Sequence, residues 1–320
     1  MSITTNVTIF QFLYVLMGLL SYLREPSTTI LIAESVERSE RRSVYARLGF
    51  IEGIGGVTGL AMCTLTVNLL GYKELLRLTC PLLLISFFLA LLTIRDPALY
   101  IERFLDRYDR LIGNIETFSF HMTDRGTLAP ALEKGWHLGR EPNMVFFGLG
   151  RTLFAFAASN AFTPLPIYLL AKAKFPTSTI FASFFIRSLF GAASFLVASR
   201  LVEMGGGRAV KLATGMRAVL INFLPMTILF PMPFSVMSVA TLLSLIAFSW
   251  SLYSVGTDLT MVEYVSPGRL GFYDALSGIG GALGGFTAGL LPTLYGFETS
   301  FLISSGLFAS ALVFFTLGLG

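Results

Sequence analysis

Among the charged residues inside apolar stretches long enough to cross a bilayer, six stand out: Arg24 and Glu25 just ahead of Pro26, then Glu52, Arg151, Arg187 and Asp258. An ionised group at mid-bilayer costs about 3 kcal/mol on insertion scales, so such a side chain normally faces a cavity or a partner. Arg24, Glu25 and Arg187 therefore either line a polar cavity that holds a solute or close structural ion pairs. The proline after Glu25 opens the helix backbone there. Arg151 sits within two turns of its segment's end, where its long stem can snorkel to the interface. Glu52 and Asp258 are placed to meet loop arginines at an inner gate. Asn160, Thr163, Tyr168, Trp250 and Tyr253 offer polar or aromatic contacts, to a solute or to neighbouring helices. Hydrolytic chemistry finds no support: H-E-x-x-H, paired protease aspartates and a serine–histidine arrangement are all missing, and His121 and His137 both lie outside the apolar segments. Neither an enzyme nor a cofactor or metal site is expected.

The segments that must position these residues dominate the chain. It is 54% hydrophobic and 13% charged, with a mean hydropathy of +0.73, which excludes an ordinary soluble domain. A bilayer core of about 30 Å needs about 20 apolar residues per helix. Nine segments qualify: 7–34, 44–70, 75–94, 144–171, 178–200, 208–230, 234–260, 270–294 and 298–318. No period-2 pattern is present, so the backbone must satisfy its hydrogen bonds within helices. The expected class is an all-α polytopic membrane protein with the lipid bilayer as its surroundings. Cys63 and Cys80 fall in apolar segments and read as small buried hydrophobes. The net charge of +4 implies no nucleic-acid partner, because the cations lie in loops between spans.

One passage occurs twice. Arg47-Leu-Gly-Phe50 precedes Gly53, Gly55, Gly56 and Gly59; Arg269-Leu-Gly-Phe272 precedes Gly278, Gly280, Gly281 and Gly284, with the glycines offset by 225 positions. Duplicated three-helix groups are a recurring construction of secondary carriers. Small residues let helix backbones approach closely in lipid, so these glycines serve static packing, gating, or both.

Lysines and arginines set the orientation, because short cytoplasmic loops hold the excess of both. With a cytoplasmic C-terminus and nine alternating helices, 16 of the 23 fall in inside loops, Arg200, Arg208, Lys211, Arg217 and Arg269 among them, and only Lys73, Arg77, Lys172 and Lys174 in outside ones. The N-terminus is then extracellular, in the cell membrane. Residues 95–143 form a cytoplasmic linker that divides three helices (1–94) from six (144–320). The linker opens with an amphipathic stretch, Ala98 to Ile115, suited to the inner membrane surface.

Two motifs resemble the major facilitator superfamily. Ser199-Arg-Leu-Val-Glu203-Met-Gly-Gly206-Gly-Arg208 is similar to that family's loop of the form G-x-L-x-D-R-x-G-G-R, departing at Ser199, Glu203 and Met204. Ile32-Ala-Glu34 and Met261-Val-Glu263 match in position ahead of the repeated tracts, like the acids that close the family's fourth and tenth helices. The resemblance implies that residues 7–94 correspond to helices four to six and 144–318 to helices seven to twelve, with Glu203, Gly206, Arg208, Glu34 and Glu263 in signature loops. It also implies a secondary carrier that moves a small solute by alternating access. A proton-coupled member often has an Arg four residues before a Gly in its fourth helix. Tyr14 holds that place ahead of Gly18, so the motif does not carry proton antiport over, and Glu25 and Glu52 stay open as proton sites should the carrier use a coupling ion. The family's first three helices find no counterpart. The alternative expectation is a truncated or split carrier, completed by upstream helices or a partner chain.

Overall fold

The computed structural model describes residues 32, 36, 40–93, 142–202, 205–265 and 267–320. The expectations for the span 7–34, for Arg24, Glu25, Glu34 and Glu203, and for the 95–141 part of the linker lie outside the described residues. Every described element is helical. In chain order these are α1 (Arg41–Thr93), α2 (Met144–Phe162), α3 (Leu165–Ala171), α4 (Thr177–Leu201), α5 (Gly206–Phe223), α6 (Met232–Tyr264), α7 (Pro267–Tyr295) and α8 (Phe297–Leu319), with a 3-10 turn over Pro225–Leu229. Among the described residues, seven helical stretches are long and apolar enough to cross a membrane.

The segments after residue 144 appear within a few residues of their expected bounds. Residues 144–171 form two helices because Thr163-Pro164 interrupts them. Pro164 has no N–H to continue the ladder, and its carbonyl instead accepts from the Tyr168 N–H at 2.9 Å. The larger difference is at α1. Segments 44–70 and 75–94, expected as two spans joined by an outer turn, run on as one helix of 53 residues. At 1.5 Å per residue this is about 80 Å, far beyond a bilayer core of about 30 Å. The physical reason is local: between Gly71 and Pro81 the chain supplies Lys73, Glu74, Leu75, Leu76 and Arg77, good helix formers without a turn dipeptide. Lys73 and Arg77 thus lie along a helix and not in a loop. Beyond Pro81 the residues through Leu89 are all exposed.

Helices α2, α4, α5, α6, α7 and α8 form one bundle in which successive long helices alternate in direction while α2 and α7 pack side by side in parallel, Thr152 and Phe156 facing Gly280 and Gly284. Helix α2 packs on α7 and α8, α4 on α6, and α5 on both α6 and α8; α1 packs chiefly on α4. One end gathers Asn143, Gly206, Thr260 and Leu319. There the Asn143 N–H donates to the Gly318 carbonyl at 2.7 Å, and the Asn143 side chain caps α2 through the Val145 N–H at 3.1 Å. The other end carries an exposed Lys172–Glu298 pair at 2.6 Å, a contact of little energetic weight.

The core consists of interdigitated aromatic and aliphatic side chains such as Phe147, Phe154, Phe301, Phe308 and Phe315, all at 1% exposure or less. Large apolar residues also cover the outside, up to 80% exposed at Leu229. In water such a surface would be an aggregation hazard; against lipid tails it is matched. Hydroxyls turn inward on their own helices, as where Thr58 donates to the Ile54 carbonyl at 2.9 Å and Thr214 to that of Val210 at 2.7 Å. No side-chain donor is then left to hydrocarbon at those positions.

Candidate functional site

Charged side chains in the bundle form two layers. Nearest the end that gathers Asn143 and Gly206, Arg151 of α2 is buried and its Nη2 donates to Asp274 Oδ1 of α7 at 2.8 Å. Its Nη1 lies against the Met261 sulfur of α6. The expected snorkelling of Arg151 gives way to this ion pair, because a carboxylate is available inside the bundle. Arg151 Nε and Asp274 Oδ2 remain buried without partners.

The second layer lies at mid-depth and holds two more arginines. Arg187 is ten residues past Thr177 in a helix that ends at Leu201. Arg217 is eleven residues past Gly206 in a span that ends at Leu229. The Arg217 guanidinium is ringed by Phe154, Phe162, Trp250 and Phe308 at 5.0 to 5.8 Å, within cation–π range. It also donates from Nε to Ser249 Oγ at 3.1 Å and from Nη2 to the Ile246 carbonyl at 3.5 Å. Arg187 sits over Phe162 and Phe184 at 5.6 and 5.8 Å, and its Nε is buried with no acceptor. Among the described residues neither arginine has a carboxylate partner.

Helix α6 supplies the aromatic wall. Trp250 and Tyr253, three apart, share a face, and the Tyr253 ring stacks on Phe154 of α2 at 3.5 Å between centroids. Trp250 stacks on the same Phe154 at 6.3 Å. The structure thus brings Arg187, Trp250 and Tyr253 of the expected set together around Phe154, Phe162 and Arg217.

Asn160 does not join them. It is fully buried, donates to Ser304 Oγ at 3.0 Å and accepts from Thr287 Oγ1 at 3.4 Å, tying α2 to α8 and α7. Asp258 is half-buried on α6 near the inner layer, while Glu52, Arg208 and Glu263 are exposed. Arg217 was counted among loop cations and Asp274 was missed altogether. A signal existed for both, since each lies inside an apolar segment (208–230 and 270–294).

The signature loop shows why it needs glycine. The Gly205 N–H donates to the Val202 carbonyl at 2.9 Å, and Gly205 adopts φ of 114°, a left-handed conformation that side-chain-bearing residues avoid. Gly206 then abuts α6 so closely that a Cβ would lie 2.9 Å from Thr260 Oγ1 and 3.0 Å from the Gly256 carbonyl oxygen.

The repeated glycines divide by face. Gly53 approaches Ala192 of α4, where a Cβ would lie 2.6 Å from the Ala192 Cβ. Gly280 and Gly284 lie against the backbone of α2 at Thr152 and Phe156. Gly278 and Gly281 are buried on another face of α7. Gly55, Gly56 and Gly59 are exposed and touch nothing among the described residues. With 3.6 residues per turn, Gly55 lies more than half a turn round from Gly53, so the four do not share one face.

No curated protein matches this sequence. Residues 1–272 match the family model of the Major Facilitator Superfamily, in keeping with the membrane-capable helices and the glycine-bound signature loop. The chain therefore belongs to the Major Facilitator Superfamily of multi-pass membrane transporters.

Proposed function

We propose that this chain is a secondary carrier that moves a small solute by alternating access, with the solute held in the mid-depth layer between α2, α4, α5 and α6. The observation that carries this reading is the layer itself. A buried arginine, a half-buried one and stacked aromatics at the middle of the bilayer are hard to account for as packing alone, since each charge is costly there. The 3 + 6 division of spans around the 95–143 linker belongs to the same proposal, with α1 as part of the first group.

Orientation follows from the bundle ends. Arg200, Arg208, Lys211 and Arg269 sit toward one end of the bundle, and Lys172 and Lys174 toward the other. This supports a cytoplasmic C-terminus and linker in the plasma membrane, with an extracellular N-terminus. The seat of Gly206 on α6 supports a latch at this inner end, in which Glu203 and Arg208 hold α5 against its neighbours in one state.

The test is counterflow in proteoliposomes holding the purified chain. A carrier accelerates uptake of labelled solute when the lumen is preloaded with the same solute; a pore does not. Absence of saturable, trans-accelerated exchange for a panel of anionic, neutral and cationic solutes would end the carrier reading.

A second reading, in which further helices or a partner chain complete the wall beside α1, is favoured by one observation. Gly55 and Gly59 are the repeat equivalents of Gly280 and Gly284, which seat α2, yet they stand open. Cysteines at both positions should resist membrane-permeant maleimide in active preparations; ready labelling at both would remove this reading.

A further inference from the structure

We infer that the mid-depth layer binds an oxyanion, a carboxylate or phosphoryl group of the transported solute, between Arg187 of α4 and Arg217 of α5. This rests on the carrier reading above and adds the chemical class of the solute.

Charge balance carries the inference. The inner layer shows how this protein treats a buried arginine when it acts as structure: Arg151 receives Asp274 at 2.8 Å. The mid-depth layer departs from that. Arg187 and Arg217 lie 5.6 and 5.4 Å from the centre of the same Phe162 ring, so two like charges share one aromatic side chain with no acid among the described residues. Aromatic faces and two neutral acceptors offset part of the desolvation of Arg217, but they cancel neither charge. Buried cations are normally paired, and an unpaired one is costly by several kcal/mol. The group that would restore the balance is a mobile anion.

Donor geometry agrees. Arg217 spends its guanidinium on Ser249, Ile246 and four rings, which fixes its position. Arg187 Nε is buried and aimed at nothing, while the side chain as a whole stays partly exposed. A guanidinium presents its N–H groups as a planar fork that matches the oxygens of a carboxylate or phosphate. Arg187 is therefore the residue free to grip the oxyanion, and Arg217 supplies fixed positive charge behind it. Trp250, 42% exposed in the same layer, offers an apolar face to the remainder of the solute, so an organic anion suits the site better than a bare inorganic one.

The test is thermal stabilisation of the purified chain, at matched ionic strength in chloride, by succinate, benzoate, glycerol phosphate and inorganic phosphate, with choline and glucose as cationic and neutral probes. At least one organic anion should raise Tm saturably. Its apparent affinity should fall about tenfold or more in Arg187→Gln, be partly kept in Arg187→Lys, and be unchanged in Lys172→Gln, which removes a cation elsewhere. Arg217→Gln should weaken binding as well, but Arg187→Gln decides the matter because its site is less enclosed. Saturable stabilisation by choline or glucose alone, no stabilisation by any anion, or anion binding indifferent to Arg187→Gln would each overturn the assignment. Counterflow separates the two proposals: anion binding without exchange would sink the carrier reading and keep the oxyanion site, whereas exchange of neutral solutes alone would do the reverse.

Discussion

Helix α7 seats Gly280 and Gly284 against the carbonyls of Thr152 and Phe156 in α2, whereas α1, with glycines at the same spacing, turns Gly55 and Gly59 to the outside and instead docks on α4 through Gly49 and Gly53. The two helices also place their acids differently: Asp274 of α7 is buried, whereas Glu52 of α1, just ahead of Gly53, is exposed. Before its glycines α7 carries Asp274, which ties it to α2 through Arg151; the position 225 residues earlier is Gly49, packed against Phe195. A glycine pair spaced four apart is thus a surface for close backbone approach, and which neighbour takes it depends on what lies beside it. The α2–α7 joint is fastened by backbone contact and an ion pair, and the close approaches of the α1–α4 joint are those of Gly49 and Gly53.

The largest effect expected on this contrast comes from Asp274→Ala. Removing the carboxylate leaves Arg151 buried and unpaired, which should cost about 3–5 kcal/mol and show as early unfolding in an SDS titration in mixed micelles. A stability loss under about 1 kcal/mol would mean the ion pair does not hold the joint.

Gly284→Val comes next. Its Cβ would fall on the Phe156 carbonyl of a rigid helix, where relief requires moving backbone, so a loss of about 3 kcal/mol is expected in the same titration. Wild-type stability would show that α2 and α7 can separate freely at this point.

Gly53→Ala is milder. The added methyl meets Ala192, whose Cβ and Cα would be 2.6 and 2.7 Å away, and among the described residues α1 packs chiefly on α4. A shift of α1 should limit the loss to about 1–2 kcal/mol, read as a drop in Tm.

Smallest of all is Gly59→Ala. With open space around the new methyl, stability should stay within about 0.5 kcal/mol of wild type. A loss matching that of Gly284→Val would instead reveal a neighbour seated on this face and make the two repeats equivalent after all.

Much of this was readable from residue order. The spans after residue 144, the tight turn at Gly205 and Gly206, and the mid-depth placement of Arg187 all follow from hydropathy and glycine chemistry, which act over a few residues. Trp250 and Tyr253 were legible as a pair by their spacing of three. Their stacking on Phe154, nearly a hundred positions away, was not. Arg217 was misplaced because a cation ten residues past a loop was counted with the loop. Asp274 escaped notice for a related reason: an acid five residues into a span reads as an end residue until Arg151 is seen opposite it. The single helix over Arg41–Thr93 shows the converse, since apolar composition marks two crossings but carries no signal strong enough to break the helix between them.

Sequence alone was sufficient to establish a helical membrane protein, because bilayer thickness and backbone hydrogen bonding leave few alternatives to an apolar stretch of about 20 residues, and its loop and repeat motifs carried the resemblance to the major facilitator superfamily. Tertiary structure decided the rest: which buried arginine has a carboxylate and which do not, and which face of a glycine-rich helix is occupied. Those outcomes depend on residues more than a hundred positions apart along the chain, such as Arg151 and Asp274, meeting across a helix interface, and local spacing holds no information about that meeting.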